Sequence, residues 1–402
     1  MRATPKIVVS MQRKGALQMG LLSKRAAINW CFSLLAGAVL AASPAGAQDQ
    51  TYLQEYKLYN QALEAGDTEA AAAHGRAAWQ AAEESLGDNS LTAILAYNYG
   101  QLVLFSNTAE ALRALKRADE LQRAKIATLP PDELRLYLAY AAFAEGGGNR
   151  RRSRELDEAL TEIAASGIKP NADLARMAFE LAVIDLQHER YEEVIASSAR
   201  AVEYLQIATP NDYKAIASAL LVGGVAKLVP FPRKTENVIK AHTDFERGIN
   251  LFSPQKDVES FDRTYAQLIA WSAAADAAAG TLGEDHSIFN SAPDDDEGER
   301  SPFFESAIGS PYDCGLEWAK RDPPDFPFRA VNLGYIGAAI IVYDIEGQNI
   351  TNVRVLSEVP QEIFGKVAVR SMNKWEVKTP PVDHPGCNKN LVTQFMFVIQ
   401  DR

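Results

Sequence analysis

Thiols and imidazoles are the side chains of this sequence best able to do chemistry, and their spacing restricts what that chemistry is. Cys31 lies inside an apolar run, whereas Cys314 and Cys387 flank the last stretch of chain. The histidines, His74, His188, His242, His286 and His384, are scattered. Only His384 stands near a cysteine, Cys387, and it does so in a proline-rich loop where a disulfide explains the thiol better than nucleophilic chemistry does. The sequence holds no H-E-x-x-H, no G-x-S-x-G and no phosphate-binding glycine loop. It offers no paired ligand spacing for zinc. The run Asp294, Asp295, Asp296, Glu297, Gly298 and Glu299 gathers carboxylates, but a calcium loop needs ligands at alternate positions and a closing bidentate Glu. That run reads as a solvated, self-repelling linker. The expectation is therefore a protein without catalytic residues, metal or cofactor, working by binding.

The N-terminal residues bear on compartment. Arg2, Lys6, Arg13, Lys14, Lys24 and Arg25 precede an apolar run over residues 26–42, followed by Ala45, Gly46 and Ala47. This is the pattern of a secretory signal over residues 1–47, cut before Gln48. The apolar run is at the short end for a membrane span, so the alternative is a retained signal anchor. Cys31 sits within the run and not at a lipoprotein cleavage point, so no lipid anchor is expected. Cleavage removes six cations and no acids, moving the formal charge from 41 − 52 = −11 to 35 − 52 = −17. A chain so acidic repels nucleic acid and anionic lipid. In an oxidising periplasm the surviving Cys314 and Cys387 most simply pair, with two buried free thiols as the alternative.

Residues 48–284 read as helix throughout. Tight turns end at Asp67, Asn107, Asn149, Arg190 and Pro232, spaced 40, 42, 41 and 42 residues apart. A second series of breaks lies between them, around Asp88, Pro131, Pro170, Asn211 and Pro254. Each period thus holds two helices of amphipathic spacing, a repeat array. The array resembles the tetratricopeptide class, in which small residues let paired helices approach closely, a role that falls here to Gly100, Ala142 and Ala182. Stacked pairs leave a concave surface of the kind that binds protein segments. Tyr97, Tyr99, Tyr137, Tyr140 and Tyr204 are expected to pack between helices rather than to line that surface.

After the acidic linker, residues 285–309, a C-terminal domain is expected over residues 310–402. Residues 338–345 are apolar and branched, 346–349 supply a turn, and 350–356 complete a hairpin. Pro360 stops the hairpin and begins a helix with a stripe of Phe364, Val367, Ala368, Ser371 and Trp375. Residues 391–399 alternate, placing Leu391, Thr393, Phe395, Phe397 and Ile399 on one face. The fold class expected is therefore α+β: an all-α solenoid followed by a small strand-strand-helix-strand sheet.

This last unit resembles the C-terminal domain of TonB-family energy transducers, periplasmic proteins that engage outer-membrane receptors. Pro324, Phe326, Pro327 and Ala330 match the family's P-x-Y-P-x-x-A with Phe for Tyr, and Gly334 and Gly337 match its G-x-x-G. Residues 353–357 read like its second strand. Phe364, Ala368, Met372, Lys374 and Trp375 fall where its helix carries F-x-x-x-A/V-x-x-x-A/M-x-K/R-W. In that family the strand after the helix pairs with a short receptor segment. The resemblance thus puts partner binding on Leu391, Val392, Thr393, Gln394, Phe395 and Met396, with a TonB-dependent outer-membrane receptor as the implied partner. Alternatively the edge is covered by residues 310–325 or by self-association. The chain also departs from an energy transducer, with a cleavable signal and a helical array in place of an anchor and a proline-rich spacer. A periplasmic scaffold, its sheet a packing or dimerisation module, is the second reading.

Overall fold

The computed structural model describes residues 51–230, 233–252, 262–281, 316–328, 330, 335, 337–381 and 385–397. The signal segment, the acidic linker, Cys314 and Gly334 lie outside these residues. Contacts divide the chain into two compact units, residues 13–177 and residues 178–402 with 1–12.

In the first unit, α1 (Thr51–Ala65), α2 (Thr68–Leu86), α3 (Ser90–Leu102), α4 (Thr108–Arg123), α5 (Pro131–Glu145) and α6 (Arg150–Ala165) each pack on the next. The turn residues that set the sequence period also start the helices. Asp67, Asn107 and Asn149 accept hydrogen bonds from the N–H groups of Ala70, Glu110 and Arg152, satisfying donors that an α-helix leaves orphaned. Close approach relies on small residues as expected: a Cβ on Gly100 of α3 would stand 2.7 Å from Leu115 of α4. Tyr97, Tyr99 and Tyr140 are buried, and Tyr137 packs its ring against Tyr97 at 6.2 Å.

The helix α7 (Ala172–Gln187) runs through the division point between the units. The second unit continues with α8 (Tyr191–Ala208), α9 (Tyr213–Leu228), α10 (Thr235–Ile249) and α11 (Arg263–Thr281), again packed in succession. Then follow β1 (Glu317–Lys320), β2 (Gly337–Glu346), β3 (Asn349–Val359), α12 (Gly365–Met372), β4 (Glu376–Thr379), α13 (Pro385–Asn388) and β5 (Leu391–Phe397). The strands form an antiparallel pair, β1 with β4, and an antiparallel sheet ordered β3-β2-β5.

The strand-strand-helix-strand order is present, with three differences from the sequence reading. The helix does not begin at Pro360. It begins at Gly365, because the Glu358 carboxylate accepts the N–H groups of Ile363, Phe364 and Gly365 at 3.1, 2.8 and 2.6 Å and so fixes where helical bonding starts. Trp375 lies beyond its end, held by its indole N–H to the Asp322 carbonyl at 2.8 Å. Finally, residues 317–320 pair with β4, so this part of the 310–325 segment is not a strand on β5.

Both faces of the central strand β2 are covered. On one, Ala339, Ile341, Tyr343 and Ile345 of β2 join Phe364, Ala368, Met372, Trp375, Phe395 and Phe397 in a core. On the other, Ala338, Ile340, Val342 and Val392 are also buried. The helix α12 packs against β2 and β3, and α11, the last of the array, packs against β2, β3 and β5. Within the second unit the sheet therefore packs on α11, the last helix of the array.

Candidate functional site: an open strand edge

The sheet can offer unpaired backbone groups only at its edges, β3 and β5. An edge strand carries a row of unpaired N–H and C=O groups that another chain can extend, and bulges are one device that spoils this row. The β3 edge is spoiled. Its register with β2 shifts between Ile340 and Ile341 and again between Val342 and Asp344, and Asn352 takes a positive φ of 52°. The β5 edge is regular. All its residues pair with β2 without a shift, from Leu391 opposite Tyr343 to Phe397 opposite Gly337. Among the described residues no strand pairs with its outer side.

The side chains of β5 are fixed from both faces. Phe397 stacks on Phe364 with centroids 4.3 Å apart, and Phe395 meets Trp375 edge-on at 5.5 Å. Thr393 is buried on that same face, while Val392, Gln394 and Met396 occupy the other. Met396, 56% exposed, is the one large apolar side chain of β5 open to solvent. Asp344 accepts the Asn390 N–H at 2.7 Å and the Asn352 amide at 2.7 Å, pinning the chain as it enters β5. Burial works to raise the Asp344 carboxyl, but these bonds and Lys389 outweigh it and hold the group below its ordinary range.

The residues of the expected P-x-Y-P-x-x-A motif form a strap over the α12 face, not part of the edge. Phe326 meets Phe364 and Phe397 edge-on, each at 5.8 Å. Ala330 is fully buried, and its N–H bonds the Pro327 carbonyl at 2.9 Å. Pro324 and Pro327 are half-buried. Gly337 is required for a steric reason: a Cβ there would stand 2.0 Å from the Val359 carbonyl oxygen and 2.4 Å from the Phe364 ring. Trp375 is likewise a core residue. Cys387 is buried in α13, and its expected partner Cys314 lies outside the described residues.

Sequence reasoning passed over Arg321, which lies just before the strap. Its guanidinium sits 4.7 Å from the Trp375 ring and 5.6 Å from Trp318, and it donates to the Thr393 hydroxyl at 3.5 Å. Burial pushes the nearby Tyr343 hydroxyl up to about 12, with Arg321 acting against the rise. The signal available was a basic residue three positions after Trp318 and three before Pro324, but no local pattern ties it to β5.

Among the described residues no group of three His, Cys, Asp or Glu is arranged to hold a metal, and no helix is long and apolar enough to cross a membrane. His74 bonds Glu55 at 2.7 Å and His242 lies 3.1 Å from Asp276, both within the helical array.

The sequence matches no protein-family model and no curated protein. Among solved structures the chain is similar to a signal-transduction ATPase with numerous domains that carries a tetratricopeptide-repeat sensor, from Pyrococcus horikoshii. The identity is 18% and the TM-score 0.39, over 61% of this chain and 35% of that one. The chain therefore spans about a third of that protein's length.

Proposed function

We propose that this is a periplasmic, TonB-like protein-binding protein in which the β5 edge receives an extended segment of an outer-membrane receptor or transporter, while the helical array holds a second protein. The observation that carries the reading is the contrast between the two edges: β3 is broken by register shifts, and β5 is regular over its whole length. Strand addition draws affinity from backbone hydrogen bonds and selectivity from side chains at alternate positions. The strap and Gly337, which carry the resemblance to the TonB family, support the same reading by fixing the face against which β5 lies.

Binding of receptor-derived peptides to the full chain tests it. N-methylation of alternate peptide residues removes donors without touching the protein's fold, so one phase of methylation must abolish binding and the other must not. In the protein, Thr393 and Gln394 are neighbours on a strand, so one directs its N–H to β2 and the other outward. Proline at the outward position removes only the donor offered to the partner. A folded variant of that kind that binds as tightly as the parent refutes strand addition.

A second reading, an envelope scaffold whose sheet is a packing module, is favoured by α11 closing the sheet's far face. It requires that no receptor segment bind β5. The compartment follows from the signal-like residues 1–47, with an inner-membrane anchor facing the periplasm as the alternative. Fractionation of cells and the mass of the mature chain decide between them.

A further inference from the structure

We infer that the segment added to β5 carries an acidic side chain, which pairs with Arg321 across Thr393. This rests on the strand-addition reading above and specifies the ligand that the edge would select. Arg321 is exposed, and no described carboxylate lies within ion-pair distance of it. The neighbouring Asp322 is already committed: its carboxylate pairs with Lys320 at 3.3 Å, and its carbonyl accepts the Ser371 hydroxyl at 2.6 Å and the Trp375 indole at 2.8 Å. The guanidinium is held by stacking instead, on the rings of Trp375 and Trp318, with one N–H on the Thr393 hydroxyl. Stacking leaves the other donors of its planar fork free to meet a carboxylate in bidentate fashion.

Geometry places that carboxylate. A residue added opposite Thr393 on the outer side of β5 and pointing to the same face would have its Cβ roughly 4.5–5.5 Å from that of Thr393. A Glu or Asp there lies beside the group that already touches the Thr393 hydroxyl. On the opposite face the same partner strand runs past Val392, Gln394 and exposed Met396 of β5, none of them charged. The preference is therefore for one acid on one face and for uncharged residues on the other. The chain as a whole carries a formal charge of −11, so any attraction for an acid at this edge comes from the groups near Arg321 and not from the net charge. Screening over about 8 Å at physiological salt lets that local charge decide.

The test uses the full chain and a ten-residue alternating Thr-Val peptide in which one Glu, or one Gln as control, is moved through successive positions. At one position the Glu peptide should bind about three- to fivefold more tightly than its Gln counterpart, and less so as salt rises. In Arg321→Gln the two should bind alike, and in Arg321→Glu the advantage should pass to a Lys peptide. Circular dichroism and thermal midpoints of both variants confirm that they fold. If Glu and Gln peptides bind the parent equally at every position, while the outward proline variant of β5 loses both, strand addition stands and the Arg321 pairing is refuted. If no peptide binds the parent, both fall.

Discussion

A fragment beginning at residue 310, which the sequence presents as a complete domain, should fail to fold as it does in the full chain. The cut removes α11, and with it the cover over Ala338, Ile340, Val342 and Val392, which are between 0 and 4% exposed in the intact protein. Leaving Ile340, Val342 and Val392 in water forfeits about 1.5–3 kcal/mol each, roughly 5–9 kcal/mol together. That loss rivals the whole stability of a typical domain, about 5–15 kcal/mol. A fragment beginning at residue 189, in the turn before α8, keeps α8–α11 with the sheet and supplies the comparison. Amide exchange reads the difference where it matters, at residues 340–343 of β2 and 392–395 of β5. The longer fragment should protect these amides as the full chain does, and the shorter should lose that protection and bind a hydrophobic dye. Native-like protection of β2 in the 310–402 fragment would refute the claim that α11 completes the core.

Gly337→Ala places a methyl 2.0 Å from a backbone oxygen, where no side-chain rotation relieves it, and should cost about 1–3 kcal/mol by exchange at β2. Gly100→Ala brings a methyl 2.7 Å from Cγ of the fully buried Leu115 and 3.4 Å from the Ala111 carbonyl oxygen, so despite a gain of about 1 kcal/mol in helix propensity it should destabilise the array by about 1–3 kcal/mol, measured by thermal unfolding. Phe397→Ala removes the ring stacked on Phe364 and should destabilise the sheet by about 3–5 kcal/mol, measured by urea unfolding of the 189–402 fragment. Asp344, held below its ordinary value, stabilises the fold fully above the unfolded carboxylate range near 4 and ceases to do so as pH falls through its lower folded value. Asp344→Asn should therefore weaken the fold at neutral pH and flatten its loss in acid, as followed by thermal midpoints between pH 3 and 7. Cys314 and Cys387 are expected to be bonded, so alkylation of the denatured, unreduced chain should modify neither, and full modification of both would refute the pairing.

The helix pairs were legible because their start signals are local. Asp67, Asn107 and Asn149 recur at the period of the array and each caps the helix that follows it. The alternation of β5 was legible for the same reason, since a period of two survives without knowing the partner. The helix start was not, because Glu358 reaches it from the end of another element. Strands β1 and β4 span four residues each, too short for alternation to register. The strand β2 did carry a signal that was underused. From Gly337 to Tyr343 it is unbroken in apolar and small residues, the mark of a strand covered on both faces, and the second cover had to come from somewhere. Nothing in the alanine-rich sequence of α11 names the sheet as its partner, since small residues suit a helix neighbour equally well.

That second cover changes what the C-terminal unit can do. A sheet with one open face could bind a partner by burying apolar side chains, and its specificity would lie in the shape of that face. Here α11 and the strap with α12 cover the central strand β2 from both sides, so the proposed recognition rests on a backbone row only a few residues long. Backbone bonds are nearly blind to sequence, and a regular edge that accepted any extended chain would also accept a second copy of itself. Selectivity must then come from side chains beside the row. Two stand out there, Met396 on one face and Arg321, held by two tryptophans, on the other. One is apolar and adaptable. The other is a cation, and two copies of β5 pairing edge to edge at Thr393 would bring two Arg321 side chains toward one another. On the proposed pairing, the residue that favours an acidic ligand thus disfavours self-pairing, which is the property a regular edge strand needs if it is to accept a different protein.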